Sequence, residues 1–308
     1  MDQSHISPYK SLDFFARQVV EGFITGRHRS PFHGFSVEFS DYRQYNPGES
    51  TAHIDWHLYA RTDRLYIKQY QEETNLRCRI LIDNSSSMLF PLERQGQIEH
   101  PNKLTFSIYA AAVLIEILHR QRDAFGLTFL SDGIETSTPC RSNTLHQRYL
   151  LGLLDETLTK AEKEDTQRTT NIVEALHLIA EQQQRRSLMI IFTDAFVGES
   201  NREPLIDALR HMRHKGHEVI IFHTYDREHE VELHYDARPH QFIDLETGQQ
   251  LRVQPNEIVA EYSRIMQRQF DDLHNRALQY RIDYVPVDIA NGFHQIILPF
   301  LLKRSKIY

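Results

Sequence analysis

Cysteine is nearly absent: Cys78 and Cys140 are the only two among 308 residues, and their spacing makes neither a zinc motif nor a disulfide framework. A reducing, cytoplasmic compartment is the expectation. Long apolar runs are also lacking. The longest, Ala110 to Leu118 and Ile296 to Leu302, stop well short of the roughly 20 residues that a membrane-spanning helix needs. The polar start from Met1 to Leu12 shows no signal-peptide pattern, so no targeting segment is expected. Positive charge is in deficit: 35 Lys and Arg face 42 Asp and Glu, for a net charge of −7 with histidine neutral, which argues against a general nucleic-acid binder. No internal repeat, low-complexity tract or G-x-S-x-G elbow occurs, which weighs against a serine hydrolase. With 40% hydrophobic and 25% charged residues, the chain has the composition of a soluble globular protein. Its length allows one large α/β domain with an extension, or two small domains.

From residue 76 onward, buried strands alternate with amphipathic helices. Strands are expected at 76–83, 124–130, 188–192, 218–222 and 283–287, with a short antiparallel edge at 135–139 after the Asp132-Gly133 turn. Helices are expected at 102–120, 143–158, 171–183, 203–214, 256–279 and 293–303, and 225–255 reads as irregular with one hairpin near Thr247-Gly248. Such alternation predicts an α/β fold with a doubly wound, mostly parallel sheet. Before it, a helix from Tyr9 to Thr25, a basic loop Gly26 to Gly34, a strand at 35–39 and another at 65–70 form an extension. The expected division is therefore 1–75 as an N-terminal segment packed on the main domain, and 76–308 as that domain.

The first strand of the alternation, Arg79-Ile80-Leu81-Ile82-Asp83, ends in Asn84-Ser85-Ser86-Ser87. In a doubly wound sheet ligands sit outside the carboxyl ends of the strands, so Asp83, Ser85 and Ser87 stand at the functional rim. The D-x-S-x-S spacing lets one carboxylate and two hydroxyls turn toward a common point, a hard-oxygen set suited to Mg²⁺. Thr170, at the mouth of the helix that follows Asn171, and Asp194, closing the strand Leu188 to Phe192, belong to the same rim.

Asp83-Asn84-Ser85-Ser86-Ser87, Thr170 and Thr193-Asp194 together resemble the metal-ion-dependent adhesion site of von Willebrand factor A domains. The resemblance implies a Rossmann-type fold with Mg²⁺ as cofactor, Mn²⁺ or Ca²⁺ as substitutes, held by Asp83, Ser85, Ser87, Thr170 and Asp194. An Asp or Glu on a protein partner would complete the shell. A longer set, Gly26-Arg27-His28-Arg29-Ser30, Gly34, Glu38-Phe39, Arg43-Gln44-Tyr45, Pro47-Gly48, Ile54-Asp55-Trp56, Ala60-Arg61 and Lys68, is similar to the signature of the bacterial family called domain of unknown function 58. This second resemblance implies a von Willebrand A-like adaptor working with a MoxR-type AAA+ ATPase in the maturation or remodelling of a client protein. It departs from the family at Glu49-Ser50, where two acids are usual.

The expected function is accordingly non-enzymatic protein binding, with Asn84, Ser86, Asn171, Arg27 and Arg29 as candidate partner contacts. The arginines also have Glu38, Asp41, Asp55 and Glu72 as possible ion-pair partners, and Trp56 is expected to anchor the core of the extension. The alternative is a Mg²⁺-dependent phosphatase of the haloacid-dehalogenase type with Asp83 as nucleophile. Ser85 stands where such an enzyme needs a general acid, which weakens that reading. The histidines between His211 and His240 are expected on solvated surface, not around zinc. The last helix is expected to pack on the sheet.

Overall fold

The computed structural model of the protein describes residues 12–25, 42–44, 56–68, 76–163, 172–184, 186–194 and 199–307. The chain divides into two compact units: residues 26–75 form one, and residues 1–25 with 76–308 form the other. The boundary expected after residue 75 is thus corrected for its first helix, α1 (Leu12–Thr25), which belongs to the larger unit. Leu12, Phe15, Ala16 and Val20 are buried along one side of it. The Phe15 ring meets Tyr109 edge-on at 4.7 Å and Phe293 at 5.3 Å, so aromatic packing fastens α1 there.

The smaller unit contains β1 (Tyr42–Gln44), α2 (Trp56–Thr62) and β2 (Tyr66–Lys68), with β1 and β2 paired antiparallel. Trp56 is not the expected core anchor. It is 59% exposed and meets the Tyr59 ring edge-on, one turn along the same short helix.

The larger unit is built on a sheet of β3 (Arg77–Asp83), β4 (Ala124–Ser131), β5 (Gly133–Ser137), β6 (Ser187–Thr193), β7 (Glu218–Tyr225) and β10 (Asp283–Asp288). The spatial order is β10-β7-β6-β3-β4-β5, all parallel except the β5 edge, which pairs antiparallel with β4. Beginning from the central strand, the chain adds β4 and β5 on one side, then β6, β7 and β10 on the other. This is a doubly wound order, and its reversal lies between β3 and β6. The central strands are largely apolar because both faces are covered: every residue of β6 is buried, as is all of β3 after Arg77.

Helices α3 (Lys103–Arg120), α4 (Thr144–Lys163), α5 (Ile172–Gln182), α6 (Glu199–His214), α7 (Pro255–Gln279) and α8 (His294–Ile307) complete the unit. A core cluster joins Leu81 and Ile191 of the sheet to Leu176 and Ile179 of α5 and Leu209 and Met212 of α6. On α3, Phe106 stacks on Phe293 with ring centroids 4.8 Å apart. The last helix packs as expected, with Ile296 and Phe300 buried, and Arg304 donates to Asp123 Oδ2 at 2.9 Å. Between β7 and α7, the segment expected to be irregular holds a π-turn at Arg227–Val231 and the antiparallel pair β8 (His240–Ile243) and β9 (Gln250–Val253). No helix among the described residues is long and apolar enough to cross a membrane.

Candidate metal centre

Asp83 ends β3, Thr193 ends β6, and the parallel register that pairs Ile82 with Phe192 brings these ends level at the point where the strand order reverses. Both oxygens of Asp83 are held: Oδ1 accepts from the Ser85 N–H at 3.0 Å, and Oδ2 accepts from the Thr193 hydroxyl at 2.8 Å. The first of these bonds folds the chain back after the strand. A single 3₁₀ turn, Ser86–Leu89, follows and sets Ser85 and Ser87 side by side with their hydroxyl oxygens 3.0 Å apart. Two neighbouring ligands of an octahedral ion at about 2.1 Å lie about 3 Å from each other, so this spacing fits Mg²⁺. The donor set is of hard oxygens, as Mg²⁺ requires. Among the described residues, no group of three or more His, Cys, Asp or Glu forms a metal cluster.

The second acid, Asp194, accepts a hydrogen bond from the Ser87 hydroxyl and faces Asp83 across the switch point. Burial and the nearby Asp194 carboxylate push the Asp83 carboxyl well up from its ordinary value, despite the hydrogen bonds from Ser85 and Thr193. Asp194 is also desolvated, but the Lys103 ammonium, the Ser87 hydroxyl and the bond from Lys103 hold it low. Lys103 Nζ donates to Asp194 Oδ2 at 3.1 Å and to Glu230 Oε1 at 2.6 Å. Burial by itself would drive this ammonium toward neutrality, yet the two carboxylates outweigh that and raise its pKa. Two carboxylates that face each other inside a protein stay ionised together only with positive charge near them. Lys103 supplies part of it, and a cation over the serine hydroxyls would supply the rest.

Of the expected site residues, Asp83, Ser85, Ser87 and Asp194 thus come together at one rim. Thr170 and Asn171 lie outside the described residues, as do Arg27 and Arg29. Asn84 and Ser86, expected to face a partner, are instead buried at 4% and 5% exposure. The reason is local: the Asn84 N–H donates to the Leu130 carbonyl at 2.6 Å and its side-chain amide to Glu135 Oε2 at 2.9 Å, which ties it to the neighbouring strands. Two members of the charge cluster escape sequence reading. Lys103 follows the helix cap Asn102, whose Oδ1 accepts from the Thr105 N–H at 2.7 Å. A lysine at a helix N-terminus opposes the helix dipole, which was its available signal. Glu230 sits in the π-turn after β7, where no pattern marks it. The histidines need one correction: His217 and His223 are buried, and burial pushes His223 down to about 4 while its Nδ1 meets the Tyr284 hydroxyl.

Over 224 residues the chain is 23% identical to the uncharacterized protein Mb1516 of Mycobacterium bovis and, equally, to the uncharacterized protein Rv1480 of Mycobacterium tuberculosis. The alignment covers 73% of this chain and 66% of each relative, just under two thirds of their length. Among solved structures, the chain is similar to the conserved hypothetical protein BatB from Bacteroides thetaiotaomicron, at 17% identity and a TM-score of 0.46, over 75% of this chain and 98% of that one. It is also similar to the SpRpn10 VWA domain, at 12% identity and a TM-score of 0.37, over 76% of this chain and 97% of that one. The family described as "Protein of unknown function DUF58" matches residues 41–271, most of the chain, and the protein belongs to that family.

Proposed function

We propose that the chain is a non-enzymatic, Mg²⁺-dependent protein-binding adaptor that recognises an acidic side chain of its partner. The observation that carries this reading is the serine pair: two hydroxyl oxygens at 3.0 Å, set over two buried acids at the switch point of the sheet. When bound, the metal would supply a Lewis-acidic positive centre for a partner carboxylate. Ser85 and Ser87 would hold it directly. Asp83 and Asp194 would fix the hydroxyls and balance charge, with Thr170 as the fifth member by resemblance. Asp83 has both oxygens engaged in positioning bonds, which suits an orienting group better than a phosphatase nucleophile.

The partner we propose is a MoxR-type AAA+ ATPase or its client, in a reducing, cytoplasmic setting. Both cysteines are free thiols, and Cys78 is buried, which supports that compartment. The test is biolayer interferometry between the full chain and a purified MoxR-type ATPase, in Mg²⁺ and then in excess EDTA. Binding should require Mg²⁺ and be lost in Ser85→Ala/Ser87→Ala with an unchanged circular-dichroism spectrum. Equal binding in EDTA would overturn the metal-bridged reading.

A further inference from the structure

Lys103 is buried at 1% exposure, in the first turn of α3, where the helix dipole already presents positive charge. Both conditions disfavour an ammonium, and the carboxylates of Asp194 and Glu230 offset them. The side chain is guided there from several directions. Its backbone N–H donates to the Phe90 carbonyl at 3.0 Å, and its ammonium lies 5.8 Å from the Phe90 ring centre, just beyond the serine turn. Glu230 is held in turn. Its Oε2 accepts from the Asp226 N–H at 2.7 Å, and Arg94 fastens Asp226 from the rim at 2.7 Å. The ammonium is therefore fixed on one of the two acids assigned to the metal.

We propose that Lys103 is a resident counter-ion of the metal centre, competing with the divalent cation for Asp194, and that Glu230 is the acid that holds it in place. The inference rests on the metal reading above and deepens it, because the pair sets how tightly the cation binds. With Asp83, Asp194 and Glu230 ionised and Lys103 charged, a divalent cation brings the cluster to neutrality. Without the ammonium the loaded cluster would stay negative and repel the carboxylate of a partner. Lys103 thus lowers affinity for the ion and raises affinity of the loaded site for an acid.

The experiment is calorimetric titration of Mn²⁺ into the full chain, as wild type, Lys103→Met, Glu230→Gln and the double variant, each checked for fold by circular dichroism. Lys103→Met should bind Mn²⁺ about tenfold more tightly or better, since a unit charge beside Asp194 is removed, and Glu230→Gln should bind more weakly. The double variant removes a buried pair together and serves where Lys103→Met does not fold. It should also bind more tightly than wild type, because the ammonium touches Asp194 whereas Glu230 touches the ammonium. Wild-type binding with equal or weaker affinity in the folded Lys103→Met or double variant would overturn the inference and leave the metal reading standing. Absence of Mn²⁺ binding in wild type and in both lysine variants would overturn the two together.

Discussion

Arg79 and Lys103, two of the cations buried in the larger unit, are held in opposite ways. Arg79, on the central strand β3, is 8% exposed and is satisfied by neutral groups: Gln183 Oε1 at 2.6 Å, the Thr128 and Ser137 hydroxyls at 2.8 and 2.9 Å, and the Thr138 carbonyl at 2.9 Å. Among the described residues no carboxylate pairs with it. Lys103, at the rim, has two carboxylates and a cation–π contact. A guanidinium offers five donors in a rigid fork, so it can be satisfied by several fixed acceptors, and here it ties β3 to β4, β5 and the end of α5. An ammonium is a compact point charge on a flexible stem, suited to sharing between acids. The arginine reads as a rivet and the lysine as an adjustable charge. The difference lies in chemistry, since both are buried.

The largest test of this contrast is Lys103→Met without metal. It leaves Asp194 and Glu230 buried without their cation, and should cost about 3–5 kcal/mol in urea unfolding. The Lys103→Met/Glu230→Gln variant should recover part of that, since Asp194 still lacks its cation. If the double variant is no more stable than the single one, the carboxylates were never the source of the cost. Next in size is the effect of the ion: Mg²⁺ at about a hundred times its Kd should stabilise the wild type by about 2.7 kcal/mol. Thermal unfolding of Asp83→Ala should show no such gain. Arg79→Met should cost about 1–3 kcal/mol through unpaired neutral groups, and should leave Mn²⁺ affinity unchanged. A shift in affinity as large as that from Lys103→Met would erase the distinction between rivet and adjustable charge.

The smallest expected effect comes from the opposite edge of the sheet, where Glu218 begins β7 and meets Arg213 and Lys303, each at 2.6 Å. Burial pushes its carboxyl up, but the hydrogen bonds and charges of Arg213 and Lys303 win and hold it below its usual value of 4.5. A folded pKa below the unfolded one contributes stability that is present above the unfolded pKa and lost as pH falls through the folded value. Glu218→Gln should therefore flatten the acid limb of the stability curve. With its carboxylate 34% exposed, the change should stay under about 1 kcal/mol, read from urea midpoints on either side of pH 4.5. This partly exposed group of three is a solvent-screened control for the buried cluster at the rim.

The strands and most helices were legible because the sheet is covered on both faces. A strand buried on both sides must be apolar throughout, as Leu188 to Phe192 is, and its polar successor then marks the rim. For the same reason the sequence by itself located Asp83, Ser85, Ser87 and Asp194, residues that directly end or follow such strands. Lys103 and Glu230 were not legible as site residues. One opens a helix and the other sits in an irregular turn, and only folding carries Glu230 across 127 positions to the lysine. The division of the chain also depended on packing, since α1 joins the larger unit through Phe15 against Tyr109 and Phe293, ring contacts that no periodicity records. Sequence thus determined which segments are the buried strands and the acids and hydroxyls at their ends, which follow from burial and local turns. The tertiary structure alone decided the charge balance around them, because electrostatic partners are chosen by proximity in space.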